Sequence, residues 1–464
     1  MPETAPGVPV DHYGLLSLLP TVFVITTAVL THRPVAALLV GVVIGILLLD
    51  PTAVVSTFSD IMLEVMQDET IGWVIRVCGL MGSLIYILIK TGGASAFARK
   101  MAEHANTRNK SMLVTWFLGM VLFIDDYLNA IAIGNSMKKV TDGFKVSRAM
   151  LSYVVDSTAA PTCVLVPIST WAVFFAAVLE TTGAAAVGDG MMMYISGIPF
   201  MFYPIIALLL VPLVATGRFP LIGPMKAAEE LAQQGIIAIE PVDQIDVVDG
   251  PVDEDGKPRS NIWVFLVPLF ALIGFSWYFD IDLLRGIIAT LALTIPLVVI
   301  MKLLGAFEAL DAVLDGFKIM IPPLAIVVVA FMFKTVNDQL GLPQYVIESV
   351  QPLMSPLFYP VIVFLTMALV SFATGSSWGV FAIAIPIVMP LGAAMDVPTA
   401  LTIGALLSAS SFGSHACFYG DATVLSAQSS GINVMEHALT QLPYAVIAAT
   451  LAAIAYVGYA SIVL

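Results

Sequence analysis

Charge is what this chain has least of. Only 11% of its 464 residues are Asp, Glu, Lys or Arg, against 59% hydrophobic, and mean hydropathy is +0.97. So few charges cannot cover the surface of a soluble protein of this length, which leaves a polytopic α-helical membrane protein. Basic residues are scarcer than acidic ones, 19 against 33, and the net charge of −14 argues against a nucleic-acid partner. Cysteine occurs three times, at Cys78, Cys163 and Cys417, each in an apolar segment far from the others. Buried thiols are expected there rather than a disulfide or metal framework. The few histidines lack metal-ligand spacing and no nucleophile–base pair is visible, which sets an intramembrane enzyme aside. Residues 1–13 lack the basic stretch of a cleavable signal peptide. The alternating ten-residue segments of a membrane β-barrel are missing too; the apolar runs are continuous over helix lengths.

Those runs fall at 14–31, 34–49, 72–90, 191–215, 261–279, 284–304, 320–334 and 438–463. Four more are interrupted: 111–138 at Asp125–Asn129, 149–180 near Asp156–Pro161, 357–391 at Thr374–Ser377 and 397–429 around Gly413–Asp421. Segment 217–260 is polar and acidic, with Glu229, Glu230, Glu240, Asp243, Asp246, Asp249, Asp253, Glu254 and Asp255, and reads as a solvated connector. On either side of it the order of parts repeats. Each half has two spans, an amphipathic stretch (52–68 or 306–318), a third span, an interrupted pair, another interrupted span and a closing helix. A duplication is expected, with one repeat in 1–216 and the other in 261–464.

Basic residues set the orientation. Arg99, Lys100, Arg108 and Lys110 precede segment 111–138, and Lys138, Lys139, Lys145 and Arg148 close it, so both flanks are expected to be cytoplasmic. Arms of about 13 residues, roughly 20 Å, fall short of a hydrocarbon core of roughly 30 Å. Segment 111–138 therefore reads as a re-entrant helical hairpin with Asp125–Asn129 at its tip. The counterpart, 357–391, has no Lys or Arg from Thr335 to Ala405 and suits the opposite face. The expected fold is an all-α polytopic membrane protein of two inverted-topology repeats, each with a re-entrant hairpin and a broken transmembrane helix. Both termini are expected outside a cell (inner) membrane, and the connector 217–260 in the cytoplasm.

Ionisable residues at membrane depth cost several kcal/mol and mark ion or substrate pathways. Asp125, Asp126 and Asn129 at the first tip, with Asp156, Ser157 and Thr158 at the first broken span, offer the oxygen ligands that hard cations take. A place able to hold either a metal cation or protons is the minimal machinery of cation/proton exchange, with Asp125, Asp126, Asn129 and Asp156 as the expected ligands. The bland alternative is that one of the paired aspartates only caps the second arm. In the second half the tip Thr374, Gly375, Ser376 and Ser377 is uncharged, and helix N-termini favour negative groups. With His415, Tyr419, Asp421 and Thr423 in the last broken span, it makes the expected site for a substrate or second ion. His415 suits a proton carrier. Trp171 reads as packing.

At these residues the chain resembles the NhaC family of sodium/proton antiporters, within the superfamily of elevator-type ion transporters. The resemblance rests on Phe123-Ile124-Asp125-Asp126-Tyr127-Leu128-Asn129, Val140-Thr141-Asp142 with Lys145 and Arg148, Asp156 to Pro161, Pro167 to Trp171, and Thr374 to Phe381. It implies Na⁺ and H⁺ as partners, no cofactor beyond Na⁺ as transported or coupling ion, and a homodimer. It also implies transport elements at 72–216 and 320–464 that move against scaffold helices at 14–49 and 261–304. One stretch departs from the pattern. Many sodium/proton members carry His-Cys-Ser-Pro before Ser-Asp-Thr, where this chain has His415-Ala416-Cys417-Phe418-Tyr419-Gly420-Asp421-Ala422-Thr423. Two aromatics there suit an organic solute better than a bare ion. Sodium/proton antiport is thus the leading expectation, a Na⁺- or H⁺-coupled carrier of an amino acid or carboxylate the alternative, and a channel the third.

Overall fold

A computed structural model describes residues 12–31, 33–237, 251, 259–279, 282–350, 352, 354–374, 377–418 and 420–464. Helices account for the architecture, and no strand occurs among the described residues. The first half runs α1 (Leu19–Thr31), α2 (Pro34–Leu49), α3 (Val54–Gln67), α4 (Glu69–Lys90), α5 (Gly93–Ala102), α6 (Arg108–Val121), α7 (Asp126–Gly143), α8 (Arg148–Thr158), α9 (Ala160–Leu165), α10 (Thr170–Thr181), α11 (Gly190–Gly197) and α12 (Phe202–Ala215). After α13 (Gly223–Gln233) come α14 (Trp263–Tyr278), α15 (Leu283–Ile300), α16 (Ala306–Ile319), α17 (Ile321–Gln339), α18 (Leu342–Val350), α19 (Tyr359–Thr374), α20 (Ser377–Ala394), α21 (Thr399–Ala416), α22 (Asp421–Ser430) and α23 (Val434–Val463). Helices α14–α20 follow the order of α1–α7, while α8, α9 and α10 are matched only by α21 and α22. The closing members differ: α11 and α12 meet at 51°, whereas α23 is one helix of 30 residues.

Among the described residues, five stretches are long and apolar enough to cross a membrane: Ile71–Lys90, Leu283–Ile300, Ala306–Gln339, Ser377–Ala394 and Val434–Val463. Two bent pairs, Arg148–Leu165 with Thr170–Thr181 and Gly190–Phe200 with Phe202–Ala215, raise the number to seven. This is a multi-pass membrane protein. Neither arm of the first hairpin is in that set: α6 has only 14 residues, and α7 carries Asp126, Lys138, Lys139 and Asp142. The second hairpin differs, since its arm α20 has the length of a span.

The halves interlock at helix crossings. Helix α4 packs on α16, α2 on α17, α7 on α22 and α10 on α20. A Cβ on Gly82 would lie 2.6 Å from the Gly316 carbonyl, and one on Gly316 2.5 Å from that of Gly82, so α4 and α16 meet backbone to backbone. Small residues permit such approach in lipid, where packing and hydrogen bonds replace the hydrophobic effect. Ser83 adds one such bond, its hydroxyl donating to the Val313 carbonyl at 2.7 Å.

The acidic connector is only partly what its composition suggests. Its α13 buries Met225, Ala228 and Ala232 against α8 and α23. Glu229 is buried rather than solvated: it accepts from Arg108 Nη2 (2.6 Å), Ser147 N (2.9 Å) and Ser147 Oγ (2.7 Å). A buried carboxylate persists when it is paired and hydrogen-bonded, and Arg108 with Ser147 supplies both. Glu240, Asp243, Asp246, Asp249, Asp253, Glu254 and Asp255 lie outside the described residues. The turn at 430–433 has no basic residue of its own, yet Arg148 Nη1 donates to the Ser430 carbonyl (2.6 Å) while Nε and Nη2 hold Asp142. That turn therefore sits against the basic flank of the first hairpin.

Candidate functional site

The first tip is built by local hydrogen bonds. Asp125 is the N-cap of α7: Oδ1 accepts from the backbone N–H of Tyr127 (3.0 Å) and of Leu128 (3.2 Å), and Oδ2 from Thr170 Oγ1 (3.1 Å). The capping alternative thus describes Asp125. Asn129 knits the tip together, its amide nitrogen donating to the carbonyls of Gly119 (2.7 Å), Leu122 (3.2 Å) and Thr158 (3.1 Å). With a bond from Thr170 N to the Ile124 carbonyl (3.1 Å), these contacts dock the tip on the broken span and on the start of α10. Asp126, the first residue of α7, is buried beside them.

The break after α8 has a covalent cause. Pro161 lacks an N–H, and its ring would collide with the Ser157 carbonyl if α8 ran on. Thr158 returns its hydroxyl to the Val154 and Val155 carbonyls, and its own carbonyl takes the Asn129 bond. Asp156, one turn before the proline, is fully buried, and its carboxylate bonds none of the tip residues. Ser426 Oγ donates to its Oδ1 (3.2 Å), while His437 Nε2 (3.1 Å) and Gln441 Nε2 (2.6 Å) reach its Oδ2. Its three partners all come from the second half, on α22 and α23.

The expected cation ligands are therefore divided. Asp125 and Asn129 belong to the tip, and Asp156 belongs to the junction of α8 with α22 and α23. Among the described residues no group of three His, Cys, Asp or Glu side chains could hold a metal ion. Asp125 and Asp156 have no bonding partner in common.

A second polar chain adjoins Asp156. His415 is buried with both ring nitrogens bonded, Nε2 to Ser157 Oγ (2.8 Å) and Nδ1 to Tyr203 OH (2.6 Å). Its carbonyl accepts from Gln441 Nε2. Chains from both halves thus cross twice: Asp156 meets α23 of the other half, and His415 of α21 meets Tyr203 of α12.

At the second tip, Thr374 donates to the Ser371 carbonyl (3.3 Å), and Ser377 and Ser410 exchange hydroxyl-to-carbonyl bonds (3.3 and 3.5 Å). Gly375, Ser376 and Tyr419 lie outside the described residues. Asp421 opens α22, and Thr423 Oγ1 donates to the Ser414 carbonyl (3.1 Å). The ring of Trp171 packs 5.5 Å from that of Trp378, so the starts of α10 and α20 meet. Phe418 lies 5.5 Å from Phe372.

His437, Gln441, Ser426 and Tyr203 escape a reading of hydropathy. Span 438–463 excludes His437 by one residue, and Tyr203 sits in an apolar run where aromatics usually pack. The available signal is spacing: His437 and Gln441 stand four apart, on one face of a helix, at the head of an otherwise apolar stretch.

Long apolar helices, bent helix pairs and a buried carboxylate, Asp156, bonded across the two halves of the chain are features of a membrane transporter. The profile of the Na⁺/H⁺ antiporter family matches residues 191–460, more than half of the chain. The chain belongs to that family. An uncharacterized protein of Haemophilus influenzae is 28% identical over 480 residues, covering 95% of this chain and 90% of the relative. Two solved structures share the fold. MtrF of Neisseria gonorrhoeae, described with a class of antimetabolite efflux pumps, has a TM-score of 0.58 at 14% identity and covers 97% of this chain and 95% of its own. The YdaH transporter of Alcanivorax borkumensis, described as having an unusual topology, has a TM-score of 0.54 at 12% identity, over 88% and 87%.

Proposed function

We propose that this protein exchanges Na⁺ for H⁺ by alternating access, with Asp156 and Asp126 carrying the exchanged charge and Asp125 capping α7. The observation that carries the reading is Asp156: among the described residues, its one ionisable partner is an imidazole, His437, and no Lys or Arg reaches it. A buried carboxylate beside a neutral imidazole has a net charge of −1, and one proton or one monovalent cation cancels it. Either occupant lowers the cost of burying the charge, so the two compete for one place. The carboxylate and its donors all lie in the transport elements, 72–216 and 320–464, so the site travels as one unit when those elements move against the scaffold helices. Inverted repeats with an elevator-type displacement are the arrangement we propose for that motion.

Purified protein in liposomes tests the reading. An imposed Na⁺ gradient moves protons in the opposite direction if the proposal holds; no proton movement at any pH across the neutral range rejects it. Carriage of an organic solute is favoured by one observation, the Phe372–Phe418 pair placed by the uncharged second tip, and MtrF's description points the same way. Thermal-shift screening of metabolites separates the readings, because a solute that stabilises the protein only with Na⁺ present supports the carrier.

A further inference from the structure

Around Asp156, donors and acceptors do not balance. Gln441, 1% exposed, gives its amide nitrogen to Asp156 Oδ2 and to the His415 carbonyl. Both partners are acceptors, which fixes the amide's orientation: reversed, its oxygen would oppose a carboxylate and a carbonyl. The atom left over is Oε1, and no donor among the described residues reaches it. His437, 0% exposed, repeats the pattern in its neutral form: with Nε2–H donating to Asp156, Nδ1 is a buried lone pair that no described residue partners. Other buried polar atoms also lack a partner, but these two acceptors lie on one face of α23 and on residues bonded to the same carboxylate, and that combination points to a ligand. Acceptors beside a negative charge call for a cation.

We infer that a small monovalent cation binds at the junction of α8 with α22 and α23, on the Asp156 carboxylate, Gln441 Oε1 and the hydroxyl oxygen of Ser426. These are hard oxygen ligands, and the single net negative charge matches a single positive one. A divalent ion is not matched, because among the described residues no third acidic or imidazole group joins Asp156 and His437. His437 positions the carboxylate through Nε2 and leaves its charge uncancelled while neutral. The inference rests on the antiport reading and deepens it: the second half supplies ligands to a site whose charge comes from the first.

The test is the thermal stability of the full-length protein in detergent, titrated with NaCl against choline chloride. The wild type gains stability with Na⁺. Gln441→Met keeps the length of the side chain and removes the oxygen, and its half-saturating Na⁺ concentration rises about tenfold or more, the effect of losing roughly one ligand's 1.4 kcal/mol. Gln441→Glu keeps an oxygen and adds a charge, and it acquires a Ca²⁺-dependent stabilisation that the wild type lacks. This variant decides the matter if Gln441→Met does not fold. A purely structural glutamine would lower stability without Na⁺ and leave the half-saturating concentration unchanged; that result, or a folded Gln441→Glu blind to Ca²⁺, overturns the site alone. A wild type with no Na⁺ response overturns the antiport reading and the site together.

Discussion

Asp125 and Asp156 are both buried carboxylates at helix breaks of the first half, and they are held in opposite ways. The acceptors of Asp125 go to two backbone N–H groups of its own helix and to Thr170, all in the same half. Those of Asp156 go to Ser426, His437 and Gln441, all in the other half. A charge satisfied by its own helix and by Thr170 needs nothing from the other half. A charge held across the junction depends on side chains of the other half, and a proton or cation taken up there would be shared between the two. Position in the hydrogen-bond network, more than depth of burial, distinguishes the two.

The largest effect is expected at the junction. Asp156→Asn keeps the shape of the side chain and removes the exchangeable charge, so Na⁺-driven proton flux in liposomes falls to background while the protein remains monodisperse. Asp126→Asn is expected to abolish coupled flux as well, with expression intact; wild-type transport by this variant would confine the exchanged charge to Asp156. Asn129→Leu acts on structure: it strands the carbonyls of Gly119, Leu122 and Thr158, costs about 1–3 kcal/mol for each one left unpaired, and lowers the apparent Tm. Smallest is Asp125. Its replacement by Ala costs about 1 kcal/mol as a lost cap, whereas Asn, an equally good cap, leaves the apparent Tm and the flux near wild type. Flux lost in a stable Asp125→Asn protein would erase the distinction between the two aspartates.

Much of this fold is legible in the sequence. Continuous apolar runs mark helices such as α2 and α15 because lipid forces every backbone group into a helix, and the paired aspartates mark the first tip because charge is so scarce around them. Basic flanks mark the hairpin's roots. What remains hidden is long-range pairing. Nothing near Asp156 in the chain announces that its partners lie on α22 and α23, because a lone His or Gln at the head of an apolar helix reads as an interfacial residue. Glu229 is hidden in the reverse sense: an acidic run looks solvated, and only its contact with Arg108 and Ser147 shows that one member is buried. The second arm, α20, shows a third gap, since its length suits a full crossing as well as a hairpin arm.

The most direct trial compares wild type, Asp156→Asn and Asp125→Asn in one liposome assay of proton movement under an imposed Na⁺ gradient. The account predicts movement by wild type and Asp125→Asn and none by Asp156→Asn. Proton movement by Asp156→Asn at the wild-type rate would contradict it.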